Sequence, residues 1–378
     1  MKKLLLQATL AISACFLAGQ SAYAADTNAI VDVIKNRTLL DAKNMDILQK
    51  INQQRKACGF NSVEWNSQLA DSARKHTNYI AYVQRKRHLR TTEKSPFYNP
   101  KPVNWNAHYQ RPVSQLDGIT GSKNPFFVAE NHRARNLKSG YNYETRGLEA
   151  ITLSPLVNKW SRGNLSGFTD PELYEGALKS LMVAPYHMAV LLNPSMEHIG
   201  LDYSVLRGVE SDNGKYVLKS ARERYHEFWY HSLVIEGGYG AKRKDLLGKM
   251  LEKDTGIMTY PCNNLKVLDT KLDSETPNPL AGIGRDLYKN PVGHPLFIRT
   301  DQGVAANPRN ILFVNKTNGK KVDYYLLQHK NDPHKILKKN EAFIIPLQPL
   351  DKNSIYEVRF TASDKRDKAK EIKLQFKT

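Results

Sequence analysis

The chain has 378 residues and a formal net charge of +19. This length predicts two domains, each large enough to bury a hydrophobic core. The positive charge predicts attraction to a polyanionic surface, such as an anionic component of a cell envelope. The basic residues are spread along the chain and form no nucleic-acid-binding motif, so we expect no specific nucleic-acid partner.

Residues 1–24 have the pattern of a secretory signal peptide. Lys2 and Lys3 precede an apolar stretch, and Ala22-Tyr23-Ala24 has the small-residue pattern of a cleavage site. The apolar stretch is shorter than the roughly 20 residues that cross a membrane, and no later stretch is longer. We therefore expect an exported protein without a transmembrane segment, either periplasmic or extracellular.

The cysteine count is also consistent with an exported protein. Cleavage of the signal peptide removes Cys15 and leaves Cys58 and Cys262. An even number of cysteines in an oxidising compartment predicts one disulfide between them. Two unpaired thiols are the alternative.

Two helices are predicted at the start of the mature chain. Apolar residues recur at three- and four-residue spacing over residues 28–56, and Gly59 ends that run. A second helix begins at Asn66 or Ser67, either of which can cap it. His76 lies on the apolar face of this helix, so we expect its imidazole to face the core or a cleft.

The middle of the chain alternates between irregular segments and short regular elements. Residues 91–125 and 138–167 carry several helix- and strand-breaking residues and are interpreted as two long insertions. Pro171 opens a further helix, and His187 stands just after a proline at the start of an apolar helical run. Strands are then predicted at residues 199–203, 214–219 and 233–235.

The last third of the chain has a different pattern of apolar and polar residues. Residues 241–290 show weak periodicity and are interpreted as a linker. Residues 291–378 contain short apolar or alternating runs separated by turns, which favours a small β-sandwich. Its few polar groups form no site pattern.

Four motifs between residues 45 and 235 carry a resemblance to a known family. They are Ile51-Asn52-x-x-Arg55-x-x-x-Gly59, then Val63-x-Trp65-Asn66-x-x-Leu69-Ala70-x-x-Ala73-x-x-His76, then Ala129-Glu130-Asn131, and last Ala184-Pro185-Tyr186-His187 with Leu191-Leu192-Asn193-Pro194 and Ile199-Gly200. In this order they resemble the CAP superfamily of cysteine-rich secretory, antigen 5 and pathogenesis-related proteins, in its bacterial form.

The resemblance implies an α+β fold. Residues 25–240 are expected to form an α-β-α sandwich, in which helices cover a three-stranded antiparallel sheet. The sandwich predicted in residues 291–378, after Gly293-His294-Pro295-Leu296, resembles the immunoglobulin-like domain appended to some bacterial members.

The resemblance also implies a central cleft with two histidines and two acidic residues. It carries over His76, Glu130 and His187 by motif. Glu175 is the fourth member by its distance from His187, and Glu172 is the alternative. These four side chains are the candidate metal ligands, and the two glutamates are the candidate catalytic acids.

Two neutral imidazoles that face each other can bind Zn²⁺, with a carboxylate or water completing the coordination. A site with only two protein imidazoles predicts weak, exchangeable binding, and no other cofactor is expected. The same four groups can instead form a satisfied polar network that fixes how helices pack on the sheet. Both interpretations remain open at this point.

Three functional hypotheses follow from the sequence. The first is an exported binding protein whose cleft holds a divalent metal or an envelope ligand, such as a lipid, glycan or peptide. The second is a metal-assisted hydrolase acting on cell-wall or protein substrates, although no motif marks a nucleophile. The third is a non-catalytic structural protein held at the envelope by its charge. The lack of a marked nucleophile favours binding over catalysis.

Overall fold

The structure, a computed structural model, describes residues 37–91, 107–110, 130–145, 147–155, 171–210, 226–240, 255–365 and 368–378. The predicted signal peptide and the predicted strand at 214–219 lie outside these residues. None of the helices in the described ranges combines the length and the apolar character that a membrane crossing requires.

The described part of the N-terminal half, up to residue 240, contains five helices and six strands. The helices are α1 (Arg37–Ala57), α2 (Ser67–Thr91), α3 (His132–Lys138), α4 (Pro171–Val183) and α5 (Pro185–Leu191). The strands are β1 (Glu64–Trp65), β2 (Tyr109–Gln110), β3 (Glu130–Asn131), β4 (Glu149–Pro155), β5 (His198–Glu210) and β6 (His226–Gly238).

The predicted ends of the first two helices are confirmed. Helix α1 stops before Gly59, which has the positive φ of +78° that favours glycine after a helix. The Asn66 side chain accepts a hydrogen bond of 2.9 Å from the backbone nitrogen of Leu69 and so caps helix α2.

The central sheet of this half has the strand order β1-β5-β6-β4. Strands β5 and β6 pair antiparallel along their whole length, and β4 is antiparallel to β6 at one edge. The two-residue strand β1 lies parallel to β5 at the other edge. The three long strands therefore form the antiparallel sheet that the resemblance implied.

Helices cover both faces of this sheet. Helix α2 packs closely on β5 at Gly200, where a Cβ atom would lie 2.0 Å from the backbone nitrogen of Ala70. Helices α1, α4 and α5 pack on the opposite face, around Leu201. The arrangement is an α-β-α sandwich. It places His76, on α2, and His187, on α5, on helices at opposite faces of the sheet.

A buried arginine from the first motif holds helix α5 in place. The Arg55 guanidinium donates hydrogen bonds to the carbonyl oxygens of Leu191 (2.5 Å) and Asn193 (3.1 Å), at the end of α5. Burial lowers the pKa of Arg55 to about 10. The guanidinium therefore fixes the helix that carries His187 against helix α1.

The C-terminal half is a sandwich of two antiparallel sheets, with the orders β12-β13-β10-β7 and β11-β14-β15, beside a two-stranded β8-β9 pair. The strands are β7 (Met258–Tyr260), β8 (Lys271–Leu272), β9 (Val292–Gly293), β10 (Leu296–Arg299), β11 (Arg309–Asn315), β12 (Tyr324–Gln328), β13 (Glu341–Pro346), β14 (Ile355–Ser363) and β15 (Ala369–Lys377). Strands β10 to β15 coincide with the apolar runs in the sequence.

The outer face of the four-stranded sheet is buried against the N-terminal half. Phe297 and Phe343 on this face belong to the same continuous apolar cluster as Leu181 of helix α4. The predicted disulfide between Cys58 and Cys262 is present and joins the end of α1 to the residues after β7. The two halves therefore share one hydrophobic core.

Two segments that the sequence analysis interpreted as irregular are structured. Residues 149–155, inside the second predicted insertion, form the edge strand β4. Residues 255–290, the described part of the predicted linker, contain β7 and β8 and bury the side chains of Leu272, Leu280 and Leu287. These residues are buried one at a time by packing on the N-terminal half, so they leave no periodic pattern in the sequence.

Candidate functional site

His187, at the start of helix α5, meets a carboxylate from the C-terminal half. Oε1 of Glu275 lies 3.0 Å from Nδ1 of His187. The same oxygen accepts the backbone N–H groups of Tyr186 (2.9 Å) and His187 (3.3 Å). The Glu275 side chain is fully buried, and that of His187 is 13% exposed. Burial raises the pKa of Glu275, although the bonds from His187 and Tyr186 oppose this rise.

His108 faces His187. The two ring centroids are 6.2 Å apart, and the ring planes are inclined by 25°. Nδ1 of His108 lies 2.8 Å from Oε2 of Glu149, the first residue of the edge strand β4. The His108 side chain is 38% exposed, so solvent reaches the site from its side. We call His108 and His187 the imidazole pair, and each member is tied through Nδ1 to a buried carboxylate.

A buried charge network lies behind Glu149. Arg135 forms ion pairs with Glu149 and, at 3.1 Å, with Glu236, to which Asn136 also donates a hydrogen bond. Burial alone would raise the pKa of Glu149, but Arg135 and His108 outweigh burial and lower this pKa to about 2. Burial and the charge of Glu149 raise the pKa of Glu236 well above its ordinary value. One guanidinium therefore serves two buried carboxylates whose pKa values are shifted in opposite directions.

His76 is not a member of the imidazole pair, but it contacts the residue that precedes His108. Its Nε2 lies 2.6 Å from the carbonyl oxygen of Ala107, the residue before His108, so the ring donates its Nε2 proton to that oxygen. Burial lowers the pKa of His76 to about 3, and the ring is therefore neutral. Among the described residues His187 contacts the ring of His108, which takes the position expected for His76.

Glu175 lies away from His187. Its carboxylate pairs with Lys50 at 3.1 Å and with Lys179 at 3.9 Å, and its side chain is 31% exposed. Helix α4 turns this residue toward the lysines, and the carboxylate beside His187 is that of Glu275. The expected fourth member of the site is thus replaced by a residue of the C-terminal half.

The remaining predicted acids are described through their backbone only. Glu130 lies in β3, paired with Gln110 of β2, two residues after His108. Glu172 lies in the first turn of helix α4. The side chains of both glutamates lie outside the described residues.

Sequence reasoning missed His108, Glu149 and Glu275. The alternating run that begins at Glu149 was a usable strand signal, because buried β-strands carry this pattern. His108 and Glu275 lie in irregular segments without periodicity. Only tertiary contacts bring them to the site.

The imidazole pair is the part of the described site that could hold a metal ion. In the described ranges no group of three or more His, Cys, Asp and Glu side chains converges closely enough to hold an ion. The imidazole pair supplies two donors, and both rings are held at Nδ1 by carboxylates. Metal-binding histidines are commonly oriented in this way. Four protein ligands, as in a structural zinc site, are not assembled among these residues.

Comparison with known proteins identifies the family to which part of the N-terminal half is similar. Residues 48–218 match the family model described as CAP, the cysteine-rich secretory protein family. No curated protein matches the chain. The matched range includes His76, His108, Glu149 and His187, whereas Glu275 lies beyond it. The family match agrees with the mixed helix and sheet content of this half, and residues 48–218 of this chain belong to the CAP superfamily.

Proposed function

We propose that this chain is a binding protein whose imidazole pair takes up a divalent metal ion such as Zn²⁺. The observation that carries the proposal is the pairing of His108 with His187 at 6.2 Å between ring centroids. Each ring has its Nδ1 atom tied to a buried carboxylate, Glu149 or Glu275. An oxygen or nitrogen donor of an envelope ligand completes the coordination of the metal.

The carboxylates determine which ring nitrogen carries the proton. A carboxylate oxygen accepts hydrogen bonds, so each ring donates from Nδ1 and keeps its lone pair on Nε2. Such a partner also raises the basicity of the histidine and fixes its orientation. Among the described residues no third protein donor joins the pair, and a site of two imidazoles predicts exchangeable binding.

The test is a zinc titration of the purified protein. We expect one zinc ion per chain, and a loss of affinity of at least about tenfold in His108→Ala and in His187→Ala. His329→Ala, a histidine of the sandwich bonded to the Leu337 carbonyl, is the control and should bind as the wild type does. Equal binding by the double variant His108→Ala/His187→Ala would sink the proposal.

The same protein samples address the hydrolase alternative. A zinc-loaded wild type that cleaves peptide or peptidoglycan, with turnover lost in Glu149→Gln while zinc remains bound, would establish catalysis. Binding without turnover supports the binding role.

We also propose that the protein is exported and that its sandwich is immunoglobulin-like. The disulfide between Cys58 and Cys262 supports export, because disulfides persist in oxidising compartments. The strands β7 and β10 to β15, taken in chain order as A to G, form sheets A-B-E-D and C-F-G. This is the order of constant-type immunoglobulin domains.

A second candidate role, attachment to an anionic lipid surface, is favoured by one end of the sandwich. Backbone contacts bring several lysines together at this end. The backbone N–H of Asn315 donates a hydrogen bond to the carbonyl oxygen of Lys320, and that of Lys316 donates to the carbonyl oxygen of Ile355. Lys377 also pairs with Lys266 in an isolated parallel β-bridge. We call the exposed lysines here the lysine end; they are Lys266, Lys316, Lys320, Lys321, Lys352 and Lys377. None of them forms an ion pair within 4.0 Å with another described residue.

Vesicle binding tests this second role. A lysine near an anionic membrane contributes about 1 kcal/mol, so the triple variant Lys316→Glu/Lys320→Glu/Lys321→Glu should lose binding to phosphatidylglycerol vesicles at least about 100-fold. Binding of the wild type should weaken as salt rises. The control is a triple charge reversal at the other end of the sandwich, at Lys330, Lys335 and Lys339. It distinguishes binding through the lysine end from binding that depends only on the net charge of the protein. Equal losses in both triple variants, or wild-type binding to neutral vesicles, would contradict the role.

A further inference from the structure

We propose that Glu275 is the positioning residue of His187, so that a segment outside the family-matched range completes the cleft. Glu275 lies between strand β8 and the 3-10 helix Ala281–Ile283, whereas the family match ends at residue 218. Its carboxylate nevertheless contacts His187 directly at 3.0 Å. The zinc part of the test below rests on the proposed function, and the tautomer part does not.

The hydrogen bonds of Glu275 decide the tautomer of the ring. The carboxylate makes three hydrogen-bond contacts with described residues, all through Oε1, and two of them come from the backbone N–H groups of Tyr186 and His187. A backbone N–H can only donate, so Oε1 is an acceptor whether or not Oε2 carries a proton. Two backbone donors at Oε1 favour its carboxylate or carbonyl form over a hydroxyl, so we assign Nδ1 of His187 as the donor in its bond to Oε1. In the neutral ring the lone pair is then on Nε2.

A plain structural role for Glu275 makes a different prediction. Ala184, the residue that precedes helix α5, provides no side-chain cap, and Glu275 satisfies two backbone N–H groups in its place. If capping were its only role, removal of the carboxylate would lower stability. It would leave the tautomer of His187 and the metal affinity as they are.

The same interface contains a matched control. Asp332 of the C-terminal half accepts a hydrogen bond from the hydroxyl of Tyr186, the neighbour of His187. Asp332→Asn weakens the contact between the halves at this point, but it removes no partner of the His187 ring. An effect of Glu275 that is specific to the ring must therefore be absent from Asp332→Asn.

The experiment reads the His187 tautomer from ¹⁵N chemical shifts of the metal-free protein, with His187→Ala for assignment. We expect the Nδ1–H form in the wild type, in Glu275→Gln, whose amide oxygen can accept the same bonds, and in Asp332→Asn. In Glu275→Ala we expect the Nε2–H form to become a major species. Zinc affinity should fall about 10- to 100-fold in Glu275→Ala and less in Glu275→Gln, and stay unchanged in Asp332→Asn.

The outcomes separate this inference from the proposed function. An Nε2–H ring in the wild type overturns the inference even if Glu275→Ala does not fold. An unchanged tautomer in Glu275→Ala, or an equal change in Asp332→Asn, overturns it as well. A wild type that shows the expected tautomer but binds no zinc removes the proposed function and leaves the positioning role of Glu275 in place.

Discussion

The hydroxyl of Tyr186 donates a hydrogen bond to Oδ1 of Asp332, across the interface between the two halves of the chain. Burial and the bond to Asp332 raise the pKa of Tyr186, so the phenol stays protonated and remains the donor. The other oxygen of Asp332 accepts the backbone N–H groups of Ile336 and Leu337, at 2.6 and 2.8 Å. The contact thus joins helix α5 to an ordered turn of the sandwich.

Removing this hydroxyl should destabilise the whole protein. Tyr186→Phe leaves the carboxylate of Asp332 without its cross-interface donor, and hydrogen bonds to charged groups contribute about 1.5–3 kcal/mol. Urea unfolding should show that loss as a single transition, because the halves share one core. Tyr288→Phe, at a side chain that is 87% exposed, is the control and should leave the unfolding free energy unchanged. Two separate transitions in the wild type would contradict the shared core.

Gly200 should tolerate no side chain. A Cβ atom there would lie 2.0 Å from the backbone nitrogen of Ala70 and 2.2 Å from the carbonyl carbon of Leu69, so helix α2 would have to move off strand β5. We expect Gly200→Ala to cost about 3 kcal/mol or more of unfolding free energy. Gly176→Ala, in helix α4 with nothing within 4 Å of the added atom, should instead stabilise by about 0.5–1 kcal/mol. Similar effects of the two substitutions would refute this account of the packing.

The sequence predicted those elements whose signals are local. Helix periodicity, the Asn66 cap and the Gly59 stop are properties of a few neighbouring residues, and the structure has all three. The disulfide followed from cysteine count alone, because only two cysteines remain after the predicted signal peptide. Strands β10 to β15 were visible because each carries apolar residues that pack into the sandwich, and those of β10 and β13 are buried on both faces.

The site was predicted only in part, because its partners are distant in sequence. His187 was found by motif, but the carboxylate that orients it lies 88 residues later, in a segment without periodicity. His108 sits in an irregular segment, and its position depends on the Ala107 contact to His76 and on Glu149. Glu175 had the expected spacing from His187, yet spacing along the chain does not determine which side chain a residue contacts. In the structure Glu175 forms an ion pair with Lys50.

The two glutamates that share Arg135 should respond oppositely to neutralisation. The folded-state pKa of Glu149 is lowered to about 2, so its stabilisation is present above the ordinary pKa and is lost as pH falls. Glu149→Gln should therefore cost about 3 kcal/mol at neutral pH. The pKa of Glu236 is raised, so its stabilisation is present at low pH and is lost as pH rises through the folded-state pKa.

Glu236→Gln imitates the protonated form of that side chain. At neutral pH it should therefore leave the unfolding free energy unchanged or raise it, while the contact of Arg135 with Glu149 persists. Urea unfolding of the two variants, side by side at pH 7, makes the comparison. A loss of equal size in both variants would show that the two carboxylates carry the same charge, which would contradict the opposite pKa shifts of Glu149 and Glu236.

Buried histidines should make the protein lose stability in mild acid. Burial lowers the folded-state pKa values of His76 and His294 to about 3. In the unfolded chain a histidine binds its proton near pH 6.5. Stability is therefore fully present above about pH 6.5 and falls as pH decreases toward 3, by about 1.4 kcal/mol per pH unit for each ring.

His294 allows this slope to be tested away from the imidazole pair. The ring of His294 is fully buried, and the backbone of Asp269 is a hydrogen-bonding partner for it. His294→Leu should reduce the difference in unfolding free energy between pH 7 and pH 5 by about 2 kcal/mol, because one proton uptake is removed from the unfolded state. Leu296→Ala lowers stability in the core of the sandwich without removing a titrating group, and it must keep the full pH difference. An unchanged pH difference in His294→Leu would mean that this ring is protonated in the folded protein, and a charged ring there requires a partner or a water that relieves its burial.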